Sequence, residues 1–147
     1  MALRPLVDDL RRALAPQLAE TGGSIELIGA PATPLGDPVL LGVALRHLVA
    51  NAIEHRRPGT APHVRVSARA DEGVVRIAVA DDGPGIPPEA IDRIFEVFVR
   101  MTPDQDLSHA GIGLATVRRA VRAMRGTVSV DSPPGAGATF TIELPAA

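Results

Sequence analysis

The sequence contains no cysteine, tryptophan or tyrosine and only 3 phenylalanines among its 147 residues. Without cysteine, the chain cannot form a disulfide, a thiolate metal site or a cysteine nucleophile. The scarcity of aromatic side chains argues against a stacking platform for single-stranded nucleic acid. The net charge of −2 also gives no reason to expect a nucleic-acid partner, because such proteins usually carry a basic excess.

Long apolar runs are missing as well. No stretch approaches the roughly 20 residues that a membrane helix needs, and no signal peptide opens the sequence. We therefore expect a cytoplasmic domain that does not itself contact a membrane. The chain is 46% hydrophobic and 22% charged, which is typical of a soluble globular protein, and its length is that of one ordinary domain.

Apolar residues at helical spacing predict four helices, over residues 3–20, from Pro38 to about 57–59, 89–98 and 113–124. The clearest helix start is Asp37-Pro38, which has the form of an N-cap followed by proline in the first turn. Alternating apolar and polar residues predict five strands, over 24–28, 63–70, 74–80, 128–130 and 139–144. Together these elements predict an α+β fold in one domain over 1–147. We expect a two-layer α/β sandwich in which helices cover one face of a mixed, mostly antiparallel sheet.

One polar residue interrupts the apolar pattern of the second helix. Asn51 follows Leu48 at a spacing that points its amide near the buried face, and a buried amide needs hydrogen-bond partners. Its carbonyl oxygen is a hard ligand suited to Mg²⁺, which also takes phosphate oxygens and water. The alternative is an amide that only bonds a neighbouring loop.

A second motif, Asp81-Asp82-Gly83-Pro84-Gly85-Ile86, directly follows a predicted strand. A carboxylate at a strand end can accept a hydrogen bond from an adenine amino group, and the glycines let the backbone approach the ring closely. A Gly/Pro turn with a solvated pair of aspartates explains the same residues. A calcium loop does not, because the later ligands of such a loop are missing.

Two further segments are rich in glycine. Gly111-Ile112-Gly113 opens the last predicted helix, where exposed backbone N–H groups and the helix dipole favour phosphate. It is not a Rossmann fingerprint, because Thr116 holds the position of the third glycine and no strand leads in; tight packing alone explains many such pairs. The glycines of the turn Gly135-Ala136-Gly137, before the last strand, are explained by turn geometry alone.

With these motifs in this order, the chain resembles the catalytic ATP-binding domain of two-component sensor histidine kinases, which shares its fold with gyrase, Hsp90 and MutL. The Asn51 segment resembles the N box of the family, and residues 81–85 resemble its first glycine box. Residues 94–100 resemble the F box, 111–115 the second glycine box and 135–145 the closing strand. The resemblance extends over nearly the whole chain.

The resemblance implies a site for ATP and Mg²⁺. Asn51 would coordinate Mg²⁺, Asp81 would bind the adenine amino group and Arg100 would reach the terminal phosphate. The other nucleotide-binding residues would be His55, Gly83, Gly85, Ile86, Gly111, Gly113, Leu114 and Thr139. Residues 100–110 would form the ATP lid, anchored by Phe95 and Phe98, and residues 1–20 would be a linker helix that leads into the domain.

Four positions depart from the family pattern, among them Ala138, which replaces a common hydroxyl residue at little cost. His47 stands where many of these kinases have a second asparagine and where the ATP-hydrolysing relatives have a glutamate that activates water. An imidazole there could act as a catalytic base or only form a hydrogen bond; without the glutamate, transfer to a protein nucleophile is favoured over attack by water. Glu54 occupies a position that is often basic, for which His55, or Arg56 and Arg57, would compensate. His109 replaces the first glycine of the second glycine box.

The implied function is to present the γ-phosphate of ATP to a histidine on a separate dimerisation domain, for later transfer to a response regulator. None of the 4 histidines lies in the acceptor motif of the family, in which an acidic residue and Arg-Thr-Pro follow the histidine. We therefore expect a monomer that binds ATP but cannot complete autophosphorylation alone. Two alternatives stay open: a related serine kinase that inhibits sigma factors, and a degenerate, non-catalytic docking module of the same fold.

Overall fold

A computed structural model describes residues 2–29, 32–57, 59–86, 110–133 and 136–146. The helices in this part of the chain are α1 (Leu3–Ala13), α2 (Ala15–Thr21), α3 (Pro38–Glu54) and α4 (Ala110–Ala123). The strands are β1 (Ser24–Ile28), β2 (His63–Asp71), β3 (Val74–Ala80), β4 (Thr127–Asp131) and β5 (Thr139–Pro145). None of the helices within these ranges is both long enough and apolar enough to cross a membrane.

The five strands form one mixed sheet in the order β1-β2-β3-β5-β4. β1 and β2 are parallel, and the other neighbouring strands are antiparallel, including the predicted hairpin of β2 and β3. β3 is the central strand, and its last residue, Ala80, pairs with Thr139 at the start of β5. Asp81 and the β4–β5 turn therefore lie at the same end of the sheet.

One face of the sheet is buried beneath the helices. Side chains alternate between the two faces of a strand, and the inaccessible ones on β2, β3 and β5 are Val64, Val66, Val75, Ile77, Val79, Phe140, Ile142 and Leu144. The helices α3 and α4 pack against each other and contribute Leu41, Leu45, Leu48, Leu114, Val117 and Val121 to the same core. The predicted two-layer α+β sandwich, with its mixed and mostly antiparallel sheet, is confirmed.

The N-terminal segment forms two helices rather than the one predicted over 3–20. Pro16 lies in the first turn of α2 and has no N–H with which to continue the hydrogen-bond ladder of α1. Leu14, between the two helices, leaves helical geometry (φ −103°, ψ 10°) but stays buried. Because Leu3, Val7 and Leu10 are also part of the core, α1 packs on the domain. Its role as the connection from a preceding domain stays a prediction.

The two helices nearest to the predicted site also differ from their predicted bounds. α3 ends at Glu54 rather than near 57–59, and the Arg56 guanidinium donates to the Ile53 carbonyl at 3.1 Å, which satisfies one of the carbonyls freed at the helix end. α4 begins at Ala110 rather than at Gly113, because the low helix propensity of glycine does not prevent it from joining a first turn. The helix predicted over 89–98 lies outside the described residues.

The N-terminus of α3 is as predicted, since Asp37 Oδ1 accepts a hydrogen bond from the Val39 N–H at 2.8 Å. The substitution Asp37→Ala removes this cap, and we expect it to lower the free energy of unfolding by about 1 kcal/mol. Urea denaturation at neutral pH measures the change. Asp37→Asn keeps an accepting oxygen and should unfold close to wild type. If Asp37→Ala also unfolds like wild type, the cap does not stabilise the helix.

Candidate functional site

Asp81 is the first residue after β3, and backbone groups on two sides hold it in place. Its N–H donates to the Ala138 carbonyl at 3.0 Å, which connects the end of β3 to the β4–β5 turn. Its carboxylate oxygen Oδ1 accepts a hydrogen bond from the Gly83 N–H at 2.9 Å. Residues 81–86, called the Asp81 loop below, thus begin with a carboxylate whose position is set by hydrogen bonds to the main chain.

The two neighbouring aspartates have different environments. Asp81 is half-buried, and this burial raises the pKa of its carboxyl above the ordinary value; the charge of Asp82 adds to the effect, while backbone hydrogen bonds from Gly83 and Ala138 and the nearby His55 oppose it. Asp82 is exposed, and its carboxylate pairs with Arg65 at 3.1 Å. Only Asp81 is therefore a partly desolvated acceptor, of the kind that a ligand can use for a specific hydrogen bond.

The raised pKa of Asp81 predicts how its removal changes stability with pH. A carboxyl whose pKa is higher in the folded than in the unfolded chain stabilises the fold below the unfolded pKa, about 3.9, and loses this contribution as the pH rises through the folded pKa. We therefore expect Asp81→Asn to be more stable than wild type at neutral pH, with an advantage that shrinks on acidification. Urea denaturation across a pH series measures it, with Asp82→Asn as the control. An advantage that grows on acidification would contradict the burial of this carboxyl.

Two glycines pack directly against Asp81. A Cβ added to Gly83 would lie 3.0 Å from Asp81 Oδ1 and 3.0 Å from the His55 carbonyl oxygen. Gly137 has a φ of +76°, and a Cβ there would overlap the Asp81 carbonyl oxygen. Turn geometry alone therefore does not explain Gly137, because the close approach of the β4–β5 turn to Asp81 also requires a residue without a side chain.

The C-terminal end of α3 lies against the Asp81 loop. His55 follows the helix, its N–H donates to the Asn51 carbonyl at 3.0 Å, and its own carbonyl faces Gly83. Asn51 is half-buried and lies one turn before His55 on the same side of the helix. The structure thus brings His55 and Gly83 together beside Asp81 and places Asn51 one turn away. No hydrogen bond within the described residues joins the Asn51 and Asp81 side chains.

His47 lies one further turn back along α3 and is also half-buried. Burial, assisted by the charge of Arg46, lowers the pKa of the His47 imidazole below its ordinary value. The ring is therefore neutral at physiological pH and can accept a proton or a hydrogen bond.

A cavity of 320 Å³ opens between the Asp81 loop and the segment that runs from the end of α3 to the start of β2. Asp81, Asp82 and Gly83 line one side, while Ala52 and Arg56 are among the residues of the other side. A volume of this size is within the range of small-molecule pockets. Asn51 itself does not line this cavity, although the next residue, Ala52, does.

The remaining predicted residues fall into three groups. Thr139 is half-buried and lies opposite Ala80, next to Asp81. Gly111, Gly113 and Leu114 belong to the first turns of α4, and the Leu114 side chain is buried in the core, so only its backbone could meet a ligand. Outside the described residues lie Arg100, Phe95, Phe98, His109 and nearly all of the predicted lid.

Ser132, at the end of β4, belongs to this site but was not predicted from the sequence. Its hydroxyl accepts a hydrogen bond from the Ile86 N–H at 2.7 Å and donates to the Gly137 carbonyl at 2.8 Å. The signal available in the sequence was weak: a single small hydroxyl residue between a strand and a Pro/Gly turn. Arg57 was predicted only as one of the cations that could compensate for Glu54; in the structure its Nε donates to the Asp82 carbonyl at 3.3 Å.

The fold is that of histidine kinase catalytic domains. The structure of the mycobacterial sensor histidine kinase MprB superposes with a TM-score of 0.80, at 27% sequence identity, over 99% of this chain and 97% of that chain. The sequence profile of the histidine kinase-, DNA gyrase B- and HSP90-like ATPases matches residues 36–147, and the chain belongs to this family. The resemblance inferred from the motifs is thereby confirmed.

Two longer relatives are more similar in sequence. The sensor-like histidine kinase SenX3 of Mycobacterium tuberculosis is 44% identical over 116 residues, which are 76% of this chain and 27% of SenX3. The structure of full-length ShkA in complex with AMPPNP has a TM-score of 0.79 and 34% identity, over 100% of this chain and 30% of that chain. The chain thus spans less than a third of the length of either protein.

Proposed function

We propose that this chain is the ATP-binding catalytic domain of a sensor histidine kinase. It would present the γ-phosphate of ATP to a histidine on a separate dimerisation domain, for later transfer to a response regulator. The observation that carries the proposal is the half-buried Asp81 carboxylate at the end of β3, hydrogen-bonded to the Gly83 N–H and approached closely by two glycines. Family membership and the AMPPNP in the ShkA structure support it.

Adenine recognition would depend on Asp81. One carboxylate oxygen accepts the hydrogen bond from Gly83, so the carboxylate cannot rotate freely, and the other oxygen would accept a hydrogen bond from the amino group of the base. Gly83 and Gly85 would let the ring approach the backbone, and Ile86, which is partly buried against the core, would contribute an apolar surface. A half-buried ionised acceptor favours a base with an amino donor over one with a carbonyl at the same position.

The triphosphate would extend from the base toward α3 and α4. The first N–H groups of a helix have no partner within it, and at the start of α4 those near Gly111, Gly113 and Leu114 would bind phosphate oxygens. Arg100 would contact the terminal phosphate, Thr139 would contribute a hydroxyl beside Asp81, and His55 would take the place of the basic residue common in the family.

Mg²⁺ would be held by Asn51. Its amide oxygen is a hard ligand on a half-buried turn of α3, and no group of three or more His, Asp or Glu side chains in the described part of the chain could hold a metal ion. This donor set fits Mg²⁺, which completes its coordination with phosphate oxygens and water. When bound, the ion would supply charge screening for the triphosphate.

The domain itself would form no covalent bond with the phosphoryl group. Its residues would hold the base at one end and the phosphates at the other, so that the terminal phosphate faces the acceptor histidine in line. His47, with its lowered pKa, is neutral and would serve as a hydrogen-bond acceptor or a base near Asn51. The isolated domain would be a monomer in the cytoplasm, without contact to nucleic acid or membrane.

The role of Asn51 predicts a specific change in metal dependence. Wild type should bind ATP more tightly with Mg²⁺ than with EDTA, whereas Asn51→Ala should lose most of this difference while keeping its affinity in EDTA. Isothermal titration in both buffers measures the effect. Gln17→Ala, on the exposed surface of α2, removes an amide elsewhere and should behave like wild type. A full Mg²⁺ effect in Asn51→Ala would exclude Asn51 as the ligand.

A phosphotransfer assay tests the proposed function. The chain is mixed with labelled Mg-ATP and a separately produced dimerisation domain carrying the His-acidic-Arg-Thr-Pro motif, and we expect acid-labile phosphate on that domain. Acid-stable phosphate on a serine-bearing partner would instead favour the sigma-factor-inhibiting serine kinase. Failure of the chain to bind Mg-ATP would favour the non-catalytic docking module.

A further inference from the structure

We propose that Ser132 is a positioning residue for adenine recognition, because its buried hydroxyl connects the far end of the Asp81 loop to the β4–β5 turn. The inference rests on the proposed ATP site and adds to it a residue that the nucleotide need not touch. Ser132 is 5% exposed and is the one buried polar or charged residue among the described side chains. A polar side chain in such a place is retained only where its hydrogen bonds are satisfied.

The hydroxyl of Ser132 uses both of its hydrogen-bonding roles. It accepts from the Ile86 N–H at 2.7 Å and donates to the Gly137 carbonyl at 2.8 Å. A Cβ on Gly85 would lie 2.9 Å from Ser132 Oγ. Glycine at position 85 therefore leaves room for the hydroxyl, whereas a side chain there would collide with it. One oxygen atom therefore satisfies a donor on the Asp81 loop and an acceptor on the turn at the same time.

Both ends of the Asp81 loop are thereby attached to the same short segment, residues 137–138. At the first end, the Asp81 N–H donates to the Ala138 carbonyl at 3.0 Å, and Gly137 packs on the Asp81 backbone. At the second end, Ile86 reaches Gly137 through Ser132. Loss of the hydroxyl would leave the Ile86 N–H and one bond of the Gly137 carbonyl unsatisfied, and the loop would keep its attachment to residues 137–138 only at Asp81.

A loop that is attached to residues 137–138 at one end only would hold the Asp81 carboxylate less accurately. Interactions that depend on its position, above all the hydrogen bond to the adenine amino group, would weaken, because hydrogen bonds fall off steeply with distance and angle. The proposed contacts of α3 and α4 to the phosphates would not pass through the loop. Removal of the Ser132 hydroxyl is therefore expected to reduce the preference for adenine, rather than to weaken the binding of all nucleotides equally.

The test compares ATP with inosine triphosphate, which has a carbonyl in place of the amino group, by isothermal titration with Mg²⁺. We expect Ser132→Ala to weaken ATP binding on the order of 10-fold and inosine triphosphate binding much less, so the selectivity ratio falls by about the same factor. Ser132→Thr keeps the hydroxyl and should restore most of the ratio. Ser129→Ala, the same change at an exposed position of β4, should leave both affinities unchanged.

Three outcomes would count against the two proposals in different ways. If wild type binds neither nucleotide, the proposed function itself fails. If wild type prefers ATP but Ser132→Ala weakens both nucleotides equally, or weakens neither, the ATP site stands and the positioning role of Ser132 is overturned. Should circular dichroism show that Ser132→Ala is unfolded, Ser132→Cys keeps the size of the side chain with weaker hydrogen bonds, and an unchanged ratio in that variant would overturn the role as well.

Discussion

Asp81→Asn should lower the affinity for Mg-ATP by about 100-fold, which corresponds to about 3 kcal/mol. The asparagine oxygen can still accept the hydrogen bond from the Gly83 N–H, which in wild type lies 2.9 Å from Asp81 Oδ1. Its NH₂ group then takes the place of the second carboxylate oxygen and meets the adenine amino group donor to donor. For wild type we expect a binding free energy of about −4 to −8 kcal/mol. Isothermal titration with Mg-ATP measures the affinities of wild type and of the variant.

The matched control for this variant is Asp82→Asn. Asp82 differs from Asp81 by one position in the sequence, but it is exposed and pairs with Arg65 at 3.1 Å. It should therefore bind Mg-ATP like wild type. Since Asp81→Asn is expected to gain stability at neutral pH, weaker binding by this variant would not be a consequence of unfolding. Equal affinities for all three proteins would remove Asp81 from the base-binding site.

Gly137→Ala should lower the free energy of unfolding by about 3 kcal/mol and abolish measurable ATP binding. Two effects add. The residue has a φ of +76°, which is strained for alanine, and its Cβ would overlap the Asp81 carbonyl oxygen. Relief of that overlap requires the β4–β5 turn to move away from β3, which breaks the contact that holds Asp81. Thermal and urea denaturation measure stability, and titration with Mg-ATP measures binding.

Gly73→Ala separates the two effects. Gly73 lies in the β2–β3 turn with a φ of +82°, and a Cβ there would meet nothing within 4 Å. The free energy of unfolding of this variant should fall by only about 1 kcal/mol, which is the cost of the left-handed conformation for alanine. The variant should bind ATP like wild type. If Gly137→Ala is no less stable than Gly73→Ala, the close packing of the turn on Asp81 has no energetic importance.

Local chemistry made most of the fold predictable. The cap at Asp37, the alternation along β2, β3 and β5 and the turn of the hairpin each depend on residues close together in the chain, and each has the predicted form. The break between α1 and α2 was equally local, since Pro16 cannot donate a hydrogen bond to the preceding turn. The leucine repeat over 3–20 hid this break, because leucines lie toward the core both before and after it.

The sequence alone could not decide between the two interpretations of the Asp81 motif. A solvated aspartate pair and a ligand-binding carboxylate are equally compatible with Asp-Asp-Gly-Pro-Gly. In the folded chain the two aspartates differ, because Asp82 faces solvent and Arg65 while Asp81 is half-buried and faces the turn before β5. This division depends on contacts with β2 and β5, which no local pattern contains.

Ser132 was not predictable for the same reason. Its partner Ile86 is 46 residues away in the sequence, and nothing near Ser132 indicates that β4 ends beside the Asp81 loop. Only the strand order, with β5 between β3 and β4, brings the two segments together. Long-range register, rather than residue type, determines which polar groups meet at this site.

The most direct test is a crystal structure of the wild-type chain with AMPPNP and Mg²⁺. We expect the adenine amino nitrogen within hydrogen-bonding distance of the Asp81 carboxylate, and the metal ion on the phosphates of the same nucleotide in contact with the Asn51 amide oxygen. A nucleotide whose base lies away from Asp81, or a metal ion bound to the phosphates without Asn51, would contradict this account.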